Sequence, residues 1–178
     1  VVNGNVTMRD KAVEGEWGIT AKNLHGGYSE YTSNRWEPVA IKAGLAGDIT
    51  INGNVDIAVK GTGLATDPYY TALNVDDYGL SKITLNGNVN IETPEDFKDA
   101  FYSIANYGGT INVNTDGSTA GNKKVTLKGN MLTMGEDADG SGGDFFYRDG
   151  RTNVALTTKD SSWSGVVDNT GAAQTGEI

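Results

Sequence analysis

Ile83-Thr84-Leu85-Asn86-Gly87-Asn88-Val89-Asn90-Ile91 repeats Ile49-Thr50-Ile51-Asn52-Gly53-Asn54-Val55-Asp56-Ile57 almost residue for residue. Val2-Asn3-Gly4-Asn5-Val6-Thr7-Met8 is an upstream copy, and Val125-Thr126-Leu127-Lys128-Gly129-Asn130-Met131 reads as a worn one. The rung glycines fall at 4, 53, 87 and 129, spaced 49, 34 and 42 residues apart, so the rung is kept while the period is not. Ile49, Ile51, Val55 and Ile57 all occupy odd positions. A period of two marks strands with one buried face, here backed by a polar face of Thr50, Asn52, Asn54 and Asp56.

Upstream of each rung lies a second apolar element. Val39-Ala40-Ile41 leads into Ile49-Thr50-Ile51, Thr71-Ala72-Leu73 into Ile83-Thr84-Leu85, and Tyr102-Ser103-Ile104 into Ile111-Asn112-Val113. Phe145-Phe146-Tyr147 stands in the same relation to Val154-Ala155-Leu156. Each unit therefore reads as strand, turn, strand, Asn-Gly corner, strand, with length differences absorbed in the turns at little entropic cost.

Asn-Gly also signals a β-hairpin, and that reading competes. A two-residue loop at Asn52-Gly53 would set Ile51 against Asn54 and Ile49 against Asp56, a mismatched register. A three-residue loop would match Ile51 with Val55 but place Gly53 mid-loop. The other reading is a corner at which glycine takes a left-handed backbone and the chain bends without reversing. Repetition of the rung favours the corner, with units stacking as parallel strands and Asn52 and Asn86, or Asn54 and Asn88, forming amide ladders.

Composition sets the outer limits. The 178 residues include 25 Gly, no Cys and a single histidine, His25, with a formal net charge of -9. Such a charge disfavours nucleic acid and anionic membrane surfaces. Without Cys there is no disulfide frame, thiolate zinc site or thiol nucleophile. No apolar run approaches the ~18 residues of a membrane span. No signal peptide opens the chain, and both ends fall inside patterned segments, so residues 1–178 are expected to be a single segment of a longer protein. Thr93-Pro94-Glu95-Asp96 has the chemistry of a helix start, predicting a short helix from Pro94 to about Ala100.

Candidate chemistry is sparse. Asp137-Ala138-Asp139-Gly140-Ser141-Gly142 matches the first half of a calcium loop, but Arg148 stands where the bidentate glutamate belongs, so no metal site is expected. His25, in Leu24-His25-Gly26-Gly27-Tyr28, has no glycine-flanked serine to serve. Asp76-Asp77, Glu95-Asp96 and Glu136-Asp137 are adjacent pairs in turns or a helix start. Neighbouring strand residues face opposite ways, so these pairs do not flank a bond as acid and base. No cofactor is expected. Aromatic rings in or beside loops remain, namely Trp36, Tyr69, Tyr70 and Tyr107, with Tyr28 and Tyr31 near them. Such rings stack on sugars or anchor protein partners.

The rungs Asp48-Ile49-Thr50-Ile51-Asn52-Gly53-Asn54-Val55 and Lys82-Ile83-Thr84-Leu85-Asn86-Gly87-Asn88-Val89, together with Gly108-Gly109-Thr110-Ile111-Asn112-Val113-Asn114-Thr115-Asp116-Gly117, resemble the passenger region of bacterial autotransporters, the type V secreted surface proteins. Ala155-Leu156-Thr157-Thr158-Lys159-Asp160-Ser161-Ser162-Trp163-Ser164-Gly165 is similar to the recurring leucine, serine, tryptophan and glycine rung of those passengers. The resemblance covers roughly residues 39 to 178. It implies an all-β fold, a right-handed parallel β-helix with loop excursions, on the outer surface of a Gram-negative cell. It further implies a non-catalytic adhesin segment whose loops contact a host surface protein or glycan, or another copy of itself. Nucleic acid and membrane are not expected partners. A β-helical carbohydrate-active enzyme and a pure spacer are the competing functions.

Overall fold

A computed structural model describes residues 1–8, 19–22, 39–44, 46–58, 70–76, 81–93, 101–116, 119–133 and 150–168. Every element among them is a β-strand. In chain order, β1 (Val6–Met8) and β2 (Ile19–Lys22) precede a pass of β3 (Val39–Gly44), β4 (Asp48–Ile51) and β5 (Val55–Ile57). The next pass is β6 (Tyr70–Asp76), β7 (Lys82–Leu85) and β8 (Val89–Ile91). Then come β9 (Phe101–Tyr107), β10 (Thr110–Val113), a small excursion of β11 (Thr115–Asp116) and β12 (Thr119–Ala120), and β13 (Val125–Lys128). A last pass, β14 (Asn130–Thr133), β15 (Arg151–Val154) and β16 (Ser162–Ser164), ends in β17 (Val167–Asp168).

Each pass gives one strand to each of three stacked sheets. Sheet A has the order β15-β10-β7-β4, sheet B the order β1-β5-β8-β13-β16, and sheet C the order β17-β14-β9-β6-β3-β2. All pairings within these sheets are parallel. Ile51 lies beside Leu85 and Val55 beside Val89, so the two best rungs stack in register. The hairpin reading of Asn52-Gly53 is thereby excluded: β4 and β5 belong to different sheets and do not pair with each other. Antiparallel pairing among the described strands is confined to β11 and β12.

Strand alternation supplies the interior. Ile49, Ile51, Ile83, Leu85, Ile111 and Val113 of sheet A meet Val55, Ile57, Val89, Ile91, Val125 and Leu127 of sheet B and Ile41, Leu73 and Ile104 of sheet C in one core. Burying each such side chain contributes about 1.5–3 kcal/mol against its exposed state. Sheet C departs from the expected one-faced pattern. Ala40, Ala72, Ser103 and Ala105, which alternate with Ile41, Leu73 and Ile104, are buried as well. Ala40 and Ala72 are themselves members of the core cluster, a feature that apolar periodicity alone does not display.

Two expectations about glycine are corrected. Gly4, Gly53 and Gly87 do not adopt a left-handed backbone; Gly108 and Gly129 do. The rung glycines are required by close stacking instead. A Cβ on Gly53 would overlap the Gly4 carbonyl, and one on Gly87 the Gly53 carbonyl. Gly129, moreover, is not the fourth member of that column. Val125 lies beside Val89, not beside a residue of sheet A, so Val125-Thr126-Leu127 is the strand after the corner rather than before it. Gly129 begins the next turn, with φ of 138°, and Gly165 stacks over it. The place beside β9 belongs to β14. Phe145–Tyr147 and the helix expected over 94–100 lie outside the described residues.

Candidate functional site

The Asn-Gly-Asn corner between sheets A and B builds the most regular polar surface. Before each corner glycine, Asn52 Nδ2 donates to Asn3 Oδ1 at 2.8 Å and Asn86 Nδ2 donates to Asn52 Oδ1 at 2.8 Å. After it, the backbone N–H of Asn54 donates to Asn5 Oδ1 (2.9 Å), that of Asn88 to Asn54 Oδ1 (3.0 Å) and that of Lys124 to Asn88 Oδ1 (2.9 Å). The amide ladder through Asn52 and Asn86 therefore forms, whereas the row through Asn54 and Asn88 is joined by backbone N–H groups donating to side-chain oxygens. They share one polarity, each pass donating toward the pass before it. Identical amides align because the strands stack in register at about 4.8 Å, a spacing an amide spans with one hydrogen bond.

The row before the glycines stops at Asn114. That residue takes the place of Asn86 one pass later but adopts φ of 56° and turns its side chain inward, 2% exposed. Its Nδ2 faces the carbonyls of Lys123 (3.0 Å) and Ala155 (2.8 Å) and Thr157 Oγ1 (3.1 Å), while its Oδ1 accepts from the Lys123 N–H. Asparagine tolerates the left-handed region better than most residues, so it both bends the chain and ties off the base of the β11–β12 excursion.

Sheet B, beyond the corner, carries an open depression of about 390 Å³ lined by Asn54, Asp56, Asn88, Asn90, Lys124 and Thr126 on its outer side. Asn90 Nδ2 donates to Asp56 Oδ1 (2.9 Å) and to Glu92 Oε1 (3.1 Å), joining two carboxylates through one amide. Lys124 is paired with Asp160 at 3.4 Å across the next strand. The Asp160 carboxyl is held below its ordinary range by a hydrogen bond from Thr158, then by its own backbone N–H and Lys124. A surface of amides, hydroxyls and carboxylates offers many weak hydrogen bonds. Among the described residues no three acidic or histidine side chains gather to hold a metal.

The two described aromatic candidates, Tyr70 and Tyr107, lie apart. Tyr70 opens β6 beside Phe101, whereas Tyr107 closes β9 beside Asp76. Six residues of extended strand separate these ends, about 20 Å. Both lie on sheet C, away from the corner between sheets A and B. Trp36 and Tyr69 lie outside the described residues, as do Tyr28, Tyr31, His25, the acidic loop from Asp137 and the pairs Glu95-Asp96 and Glu136-Asp137. Phe101 is core, and Trp163 packs against the core while its Nε1 donates to the Gly129 carbonyl at 3.1 Å.

Sequence reading missed a buried polar cluster. Asn106, 0% exposed, donates to the carbonyls of Gly109 (3.0 Å) and Arg151 (3.1 Å) and accepts from the N–H groups of Gly108 (3.1 Å) and Gly109 (2.9 Å). Its Nδ2 also reaches Thr152 Oγ1, which pairs with Thr133 Oγ1 at 2.8 Å. The available signal was a polar residue on the alternation of Phe101 to Tyr107, two positions before a Gly-Gly pair. Comparisons with protein families, with curated proteins and with solved structures find no match for this chain.

Proposed function

We propose that residues 1–178 form part of a right-handed parallel β-helix in the passenger of an autotransporter-like bacterial surface protein, acting as a non-catalytic adhesive segment. The observation that carries this reading is the in-register stack of parallel rungs whose interior is filled by Ile, Val and Leu. A right-handed crossover is the overwhelmingly preferred hand for the connection between parallel strands of one sheet. A stack of this kind is a stiff scaffold, and its packed interior leaves binding to corners and loops. Attachment then arises from many weak contacts repeated along the scaffold. Trp36, Tyr69, Tyr70 and Tyr107 are the proposed contacts, Tyr70 and Tyr107 from strand ends, with a host surface protein, a glycan or a second copy as partner. The proposed setting is the bacterial outer surface.

Beads coated with the fragment test this directly, scored for mutual clumping and for attachment to host cells, alongside a Tyr69→Ala/Tyr70→Ala variant. Clumping or attachment that the variant weakens is the expected result. Inert beads would favour a spacer, and release of sugar fragments from a glycan panel would favour an enzyme.

A further inference from the structure

We propose that the depression on sheet B is a subsite for one sugar unit of a neutral glycan, a proposal that rests on the adhesive reading above. Its volume is about 390 Å³, within the range of about 300–1,000 Å³ usual for small-ligand clefts. Three successive passes, through β5, β8 and β13, supply the lining. The stacking itself sorts the polar groups. Asn54 Oδ1 accepts from the Asn88 N–H, and Asn88 Oδ1 from the Lys124 N–H. With each oxygen held by the next rung, both Nδ2 groups turn away from it, and neither has a partner among the described residues. Each such nitrogen carries two donor hydrogens.

Two rows of opposite character result. The row of Asn54 and Asn88 presents donors repeated at the strand spacing of about 4.8 Å. Two positions further along the strands lie Asp56, Asn90 and Thr126, adjacent in register. Asn90 commits its Nδ2 to Asp56 Oδ1 and Glu92 Oε1, which leaves its Oδ1 as an acceptor, with Thr126 next in register. A pyranose hydroxyl both accepts and donates. One ring can therefore accept from the amides of the first row and donate to Asn90 Oδ1 in the second. Because the Asn54 and Asn88 amides are already fixed by the backbone, binding costs them little side-chain freedom.

Charge selects among ligands. The Asp56 and Glu92 carboxylates border the site, and Lys124, the cation of the lining, is already paired with Asp160 at 3.4 Å. An anionic sugar therefore meets repulsion. A metal cation would face the Asn54 and Asn88 N–H donors, which repel it. Among the described lining residues no aromatic ring offers a stacking platform. A single subsite thus holds its sugar weakly, on the order of millimolar, and firm attachment needs several contacts at once.

The test titrates the 178-residue chain with lactose, cellobiose, maltose, chitobiose and sialyllactose, following asparagine side-chain amide signals by NMR. At least one neutral disaccharide should shift the Asn54 and Asn88 signals saturably, and sialyllactose should bind more weakly than the best neutral sugar. Asn88→Asp keeps an oxygen for the Lys124 N–H but turns the outward donor into an acceptor. Binding, read at Asn54, should weaken at least about tenfold with the fold retained. Asn112→Asp adds the same charge on sheet A, keeps the acceptor used by Asn153 and should bind as the parent does. No saturable shift with any neutral sugar, parental binding in Asn88→Asp, equal weakening in both variants, or a preference for sialyllactose would overturn the subsite. Bead attachment without sugar binding would remove the subsite and leave the adhesive reading standing. Sugar binding with inert beads would do the reverse.

Discussion

The passes β3–β5 and β6–β8 and the final pass β14–β16 fill equivalent places in the same three sheets, yet their interiors are made differently. Along one row of sheet A the inward residues run Ile49, Ile83, Ile111 and then Thr152. Along the facing row of sheet C they run Ala43, Val75, Asn106 and then Thr133. Early passes are held by apolar burial and by glycines thin enough to stack. The β14–β16 pass replaces that core pair with hydroxyls joined to each other and to Asn106. Burial of apolar surface tolerates small shifts, whereas a buried hydrogen-bonded cluster is stable only when every member is satisfied. One backbone plan thus accommodates two kinds of cohesion, and they should respond differently to substitution.

The largest expected effect is in the apolar passes. Leu85→Ala should cost about 2–5 kcal/mol in equilibrium denaturation, because Leu85 is fully buried between Ile51 and Val113. A cost under about 1 kcal/mol would mean that the early passes are not held by packing. Gly87→Val comes next, at about 1–3 kcal/mol or more, since the side chain has to displace the Gly53 backbone. Equal melting of this variant and the parent would remove the close-stacked glycine column from the account.

Thr152→Val probes the other kind of cohesion. Shape is nearly conserved, but Asn106 and Thr133 each lose a partner in a buried place. A loss of about 1–3 kcal/mol is expected. A neutral or stabilising result would assign the last pass to packing, like the rest. The smallest effect belongs to Asp160. Its carboxyl pKa is lowered in the folded chain, so its contribution is present above the unfolded value of about 3.9 and is lost as pH falls through the folded one. The Lys124–Asp160 pair is exposed to solvent and screened by salt. Asp160→Asn should lower the denaturation midpoint only slightly at neutral pH, and the difference from the parent should vanish as pH falls through the carboxyl pKa.

What was legible in the sequence follows the same division. The strict alternation of Ile49 to Ile57 and Ile83 to Ile91 disclosed the strands, their faces, their parallel register and the Asn52–Asn86 amide ladder, because identical rungs satisfy one another only when stacked. The pattern failed where the chain stopped repeating itself. Val125–Met131 looks like a rung by composition, yet Asn114 and the β11–β12 excursion had already used the preceding corner, which shifted the alignment by one strand. Glycine at a corner has two physical causes, positive φ and lack of room, and one-letter sequence does not separate them. The Asn106 cluster was hidden because its partners lie 3, 45 and 46 residues away and include backbone carbonyls. For the proposed contact site, Tyr70 and Tyr107 shared only chemistry and not place.

The stacked fold depends on Asn52-Gly53 being a corner between sheets rather than a hairpin loop. The chain has no Cys, so paired cysteines can be introduced without competition. In the stack Thr50 is the direct neighbour of Thr84, whereas a three-residue hairpin would set Thr50 against Asp56. Cα atoms of adjacent strands fall within the 4.4–6.8 Å that a disulfide spans. Under mild oxidation Thr50→Cys/Thr84→Cys should cross-link readily in the native chain, and Thr50→Cys/Asp56→Cys should not. Ready cross-linking of the 50–56 pair, with none between 50 and 84, would contradict the account.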